Sequence, residues 1–157
     1  MSRITPFLWF DREAEEAAKY YISIFPHSKM VQVTYYGEDM PQPAGSVMTA
    51  VFELDGQIFI ALNGGPNHPF THAVSFVVNC ETQAELDSYW QKLSAGGKEV
   101  ACGWLTDKYG LSWQITPATI GKLLDASHPA KSQAVMQAMM GMVKLDMAAL
   151  DKAYAEG

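Results

Sequence analysis

Few side chains in this sequence are placed for chemistry. The nucleophile candidates begin with two cysteines, Cys80 and Cys102, and the histidines are His27, His68, His72 and His128. His27, His68 and His128 each adjoin a proline and read as turn residues. A serine or cysteine nucleophile needs a base within reach, and no Ser-His-Asp or Cys-His pairing stands at a defensible sequence distance. Two weaker candidates remain. Asp107 could act as a base at the rim of a cleft, although a turn aspartate usually spends its carboxylate on its own backbone. Cys102 could act as a nucleophile, but no neighbouring positive group is in view to lower its pKa.

A hairpin argument groups the remaining candidates. If the turn spans residues 106–110, Leu105 opposes Leu111, Trp104 opposes Ser112, Gly103 opposes Trp113 and Cys102 opposes Gln114. Strand alternation then puts Cys102, Trp104, Ser112 and Gln114 on one face, and Gly103, Leu105, Trp113 and Ile115 on the other. Gly103 would leave room for the Trp113 ring. The same alternation groups Phe59, Ala61 and Asn63. Aromatic surface, two amides, a hydroxyl and a thiol suit an uncharged or weakly polar organic molecule. The competing reading makes Phe59 and Trp104 core filling.

These residues sit in a regular order of elements. Residues 3–10 read as a strand, with Asp11 as the cap of a helix whose buried stripe is Ala14, Ala17, Ala18, Tyr21 and Phe25. Strands follow over 29–36, 46–54 and 57–63, the last two joined by Asp55-Gly56, a two-residue hairpin signal. The order then restarts with a strand over 73–79. A capping box at Thr82 and Glu85 opens a helix carrying Leu86, Tyr89, Trp90 and Leu93, and Gly96-Gly97 closes it. Extended stretches near 98–105 and 111–116 complete the second copy, its middle strand short or merged. From residue 117 the pattern is helical, with a methionine stripe that reads as core or subunit interface.

The 157 residues form one domain: module one over 2–65, module two over 72–117 and a helical tail over 118–157. The class is α+β, with two βαβββ modules paired into a partly open barrel around a ligand cleft. At 48% hydrophobic and 18% charged the chain is not disordered. Its net charge of -6 and lack of basic runs argue against nucleic acid and anionic membrane surfaces. The N-terminal apolar stretch is too short for a signal peptide or membrane span, and two cysteines make no disulfide framework, so a cytoplasmic protein is expected.

The stretches at 6–11, 75–80, 89–93 and 96–97, the segment 102–114 most specifically, and Lys144-Leu145-Asp146 resemble the PhnB-like branch of the vicinal oxygen chelate superfamily. Its members are often labelled demethylubiquinone methyltransferase-like. The superfamily includes glyoxalase I, extradiol dioxygenases and fosfomycin or bleomycin resistance proteins. The resemblance implies a homodimer. In metal-dependent relatives it implies His and Glu ligands on the first and last strands of each unit. Those positions fall here at or next to Pro6, near Ala61, at His72 or the adjoining Ala73, and at Gln114. A divalent ion, were one held, would take His72 and Gln114, a poor set, so no cofactor is expected. Gln114 at a ligand position makes its face the concave one. The residues give no Gly-rich strand-to-helix turn for an adenosyl methyl donor. The leading reading is a metal-free binder of a small organic molecule through Phe59, Asn63, His72, Cys102, Trp104, Ser112 and Gln114. The alternatives are a metal-dependent lyase, isomerase or dioxygenase, and an interaction module using the methionine-rich tail.

Overall fold

The computed structural model describes residues 2–157. The chain divides into two compact units, Met1–Pro69 and Phe70–Gly157. In the first, the order is β1 (Phe7–Phe10), α1 (Ala14–Ile24), β2 (Lys29–Tyr35), β3 (Val47–Leu54) and β4 (Gln57–Asn63). The sheet runs β1-β4-β3-β2, with β1 parallel to β4 and the other neighbours antiparallel. Leu54 pairs with Gln57, and Asp55 and Gly56 both take positive φ (45° and 89°), the tight hairpin the sequence promises.

Helix α1 covers one face of this sheet. Ala14, Ala17 and Ala18 are fully buried, their small side chains letting the helix lie close. Tyr21 stacks on Phe52 at 6.3 Å between ring centroids, and Phe52 stacks on Phe59 at 5.5 Å. Leu8, Phe10, Ala50 and Ala61 are buried with them. By alternation Phe7, Trp9, Ile58, Ile60 and Leu62 occupy the opposite face.

The cap of α1 is not where the sequence puts it. The helix opens at Ala14, past Asp11, and no local side chain caps it. Asn63, at the end of β4, supplies the cap: its Oδ1 accepts from the Ala14 amide at 2.8 Å, and its Nδ2 donates to the Val47 carbonyl at 3.2 Å.

The second unit repeats the order as β5 (Ser75–Cys80), α2 (Gln83–Ser94), β6 (Lys98–Glu99), β7 (Trp104–Thr106) and β8 (Ser112–Pro117), with sheet order β5-β8-β7-β6. Thr82 Oγ1 accepts from the Glu85 amide at 3.2 Å, as a capping box requires. Glu85 reaches back one residue further than expected, to the Glu81 amide at 3.1 Å.

The stretch expected over 98–105 is broken in two. Between its halves Cys102 and Gly103 take left-handed φ of 57° and 85°. Their amides donate to Met142 and Val143 carbonyls, both at 2.9 Å, so the tail replaces the missing ladder. A Cβ on Gly103 would meet Leu145 at 3.0 Å. The glycine therefore makes room for Leu145, not for the Trp113 ring.

The tail holds α3 (Ile120–Leu123), α4 (Pro129–Met140) and α5 (Met147–Glu156). Gln83 of α2 donates to the Leu145 carbonyl at 3.1 Å and accepts from the Met147 amide at 2.8 Å. Lys144 pairs with Asp87 at 2.8 Å. The hydrogen bonds from Lys144 and then Gln83 hold the Asp87 carboxyl below its ordinary pKa. Val135, Met139, Leu145 and Leu150 are buried, whereas Met136 and Met140 are exposed.

Candidate functional site

The β7–β8 ladder pairs Trp104 with Gln114, Leu105 with Trp113 and Thr106 with Ser112. This register differs by two residues from the one expected, because Asp107 N–H donates to the Leu111 carbonyl at 2.9 Å and tightens the turn at its β7 end. A shift of two preserves facing. Trp104, Ser112 and Gln114 share one face, and Thr106 joins them. Parallel pairing of β5 with β8 brings Ser75 beside Ser112 and Val77 beside Gln114. Leu105, Trp113 and Ile115 are buried on the opposite side, where α2 contacts β7 and β8.

The open face carries two preformed polar pairs. His72 Nδ1 lies 2.9 Å from Ser112 Oγ, and Gln114 Nε2 donates to Ser75 Oγ at 3.0 Å. Ser112 is fully buried, so it orients the imidazole and is not itself presented as a nucleophile. His72 is exposed, while Trp104 and Gln114 are half-buried. Thr116 lies two residues beyond Gln114, and its hydroxyl is buried with no partner among the described residues. Ser75, Thr106 and Thr116 did not emerge from the sequence. The repeat could have exposed Ser75, since it requires the first strand of a unit to lie beside the last.

Four candidates lie elsewhere. Phe59 belongs to the aromatic stack beneath α1, and Asn63 spends both ends of its amide on the α1 cap and Val47. Cys102 sits in the turn before β7, outside any strand, so alternation does not carry it to the face of Gln114. Asp107 is 2% exposed; it accepts from the Tyr109 amide at 2.9 Å, the Leu111 amide at 3.1 Å and Trp113 Nε1 at 2.9 Å. Its carboxylate builds the turn instead of standing at a rim as a base. Cys80 is fully buried, and burial followed by the charge of Glu85 pushes its thiol up to about 12.

A divalent ion does not fit these residues. Pro6 offers no side-chain donor, and Ala61 is buried in the face toward α1. His72 has one ring nitrogen engaged by Ser112, and the Gln114 amide is a neutral donor set against Ser75. Two neutral groups fall short of the three or four ligands such ions take. Among the described residues no three or more His, Cys, Asp or Glu side chains gather to hold a metal. An adenosyl methyl donor fits no better. Asp11-Arg12-Glu13 joins β1 to α1, and Glu81-Thr82 joins β5 to α2, so neither strand-to-helix turn contains glycine.

Two βαβββ units, each a four-stranded sheet backed by one helix, define the glyoxalase-like class of the vicinal oxygen chelate superfamily. The chain belongs to the family described as 3-demethylubiquinone-9 3-methyltransferase, whose model matches residues 2–116. It is similar to the PhnB protein from Bacillus cereus, with 40% identity over 74% of this chain and 100% of that one, and a TM-score of 0.67. Protein PA1353 from Pseudomonas aeruginosa shares the fold at 22% identity, over 72% of this chain and 95% of that one, with a TM-score of 0.60. No curated protein sequence matches. Helices α3–α5 lie beyond the family match, which ends at residue 116.

Proposed function

We propose that this protein binds a small, uncharged or weakly polar organic molecule on the open face of the second unit's sheet, without a metal ion. The observation that carries this reading is the pair of prearranged contacts, His72 with Ser112 and Gln114 with Ser75, beside the Trp104 indole. Each contact fixes a polar group and leaves capacity unused. Gln114 retains its carbonyl oxygen and one N–H, and His72 retains its second ring nitrogen. Prearranged groups lose little freedom on binding, and the indole supplies contact area. A ligand bearing hydroxyl or carbonyl groups on an apolar frame matches this arrangement.

A homodimer completes the proposal. Each sheet has a face no helix of its own unit covers, and the edge strands leave Phe7 55% and Val77 50% exposed. Apolar surface of this kind favours burial against a second copy. Two free thiols, and no described helix long and apolar enough to cross a membrane, accord with a cytoplasmic setting.

The test is a screen of neutral fragments bearing hydroxyl or carbonyl groups, mapped by amide NMR. Binding should shift the resonances of Trp104, Ser112 and Gln114, and Gln114→Leu should weaken it about tenfold while leaving the fold intact. Fragments that perturb only other residues, or that bind Gln114→Leu equally well, would contradict the assignment.

A further inference from the structure

A cavity lies wholly within the first unit. It encloses about 380 Å³ and is lined by Asp11, Arg12, Glu15, Tyr36, Gln42, Pro43, Ser46, Val47 and Asn63. Its volume falls within the usual range for small-ligand sites.

The walls are built in advance. The loop between β2 and β3 is closed by Tyr36 N–H donating to Ser46 O and Gly45 N–H donating to Tyr36 O, both at 2.8 Å, and by Ser46 N–H donating to Pro43 O at 3.1 Å. Pro41 and Pro43 stiffen it further. The Tyr36 hydroxyl donates to the Asn63 carbonyl, tying the loop to the floor. Asn63 is held in turn by Ala14 and Val47.

Of the three charged residues at this cavity, one is compensated by the protein and two are not. Glu15 pairs with Lys19 at 3.0 Å. The Asp11 carboxylate and the Arg12 guanidinium have no side-chain partner among the described residues. Asp11 and Arg12, lining the cavity together with Tyr36, Pro43 and Val47, call for a ligand with the opposite pair of charges joined by an apolar spacer. A guanidinium binds a carboxylate with two parallel hydrogen bonds, and an ammonium is the natural partner of a lone carboxylate.

We propose that this cavity is a binding site for small zwitterions of the amino-carboxylate class, the ligand carboxylate on Arg12 and its ammonium on Asp11. The experiment titrates the full chain with β-alanine, γ-aminobutyrate and ε-aminocaproate, which differ in charge spacing, and with acetate and ethylammonium as single-charge controls. Amide NMR follows Arg12, Tyr36, Gln42 and Ser46. At least one zwitterion should shift these resonances and bind about tenfold more tightly than either control, and Arg12→Gln or Asp11→Asn should each remove that advantage. If no zwitterion outbinds acetate and ethylammonium, the proposal is overturned on the unaltered protein, whatever the variants do. It is equally overturned if both variants fold and retain the preference.

Discussion

The two units share one topology but hold it by different means. The first caps its helix from a distance, through Asn63 at the far end of the sheet, and carries β2, β3 and β4 of 7, 8 and 7 residues. The second caps its helix locally through Thr82, and its β6 and β7 shrink to 2 and 3 residues. What it loses in ladder it recovers from the tail, through the bonds of Cys102 and Gly103 to Met142 and Val143. The open faces differ as well. Apolar Phe7, Trp9, Ile60 and Leu62 mark the first, whereas His72, Ser75, Ser112 and Gln114 mark the second. A repeated fold can thus divide its tasks: one copy is tied together by its own sheet, while the other, braced from outside, presents polar groups.

Breaking the second unit's hairpin should cost the most. Asp107→Ala leaves the Trp113 indole N–H and two turn amides without their acceptor in a buried place, and should lower stability by about 3 kcal/mol in chemical denaturation. A loss below half that would mean the turn holds itself without the carboxylate.

The contrast between caps can be sharpened next. Asn63→Ala removes a buried bond to the α1 amide and another to Val47, and should cost about 2 kcal/mol. Thr82→Ala removes one exposed cap bond and should cost about 1 kcal/mol. Equal losses in parallel denaturation curves would deny the remote cap its special part.

The last effect is one of pH, nil near neutrality and growing only in alkali. The folded Cys80 thiol titrates near 12 instead of its ordinary 9.0, so the native state keeps a proton that the unfolded chain releases. Its contribution is present in full below pH 9 and declines as pH rises toward 12. Cys80→Ser should flatten the alkaline arm of the stability curve, measured by melting temperature between those limits.

What could be read from the sequence was what is local. Asp55-Gly56, Thr82 with Glu85, and the alternation in β4 and β8 each depend on residues a few positions apart, and each is legible. Asn63 capping α1 is a contact across 49 residues, and nothing in its neighbours marks it. Alternation likewise groups Phe59 with Asn63, but both face α1 and not the open side of the sheet. Alternation tells which residues share a face, not which face meets the helix. Cys102 leaves the face of Gln114 because its left-handed backbone depends on acceptors forty residues later in the tail. The pairing of His72 with Ser112, also 40 residues apart, was likewise out of reach, although both residues were candidates on other grounds.

On the function proposed above, the polar face of the second unit works without a metal ion. Metal content of the purified protein, with melting temperature read across Mn, Fe, Co, Ni and Zn, tests it most directly. An ion that binds only the folded state must raise the melting temperature with concentration. No ion should approach one per subunit, and none of the five should stabilise the fold. One ion per subunit, stabilising in a concentration-dependent way and lost in His72→Ala, would contradict it.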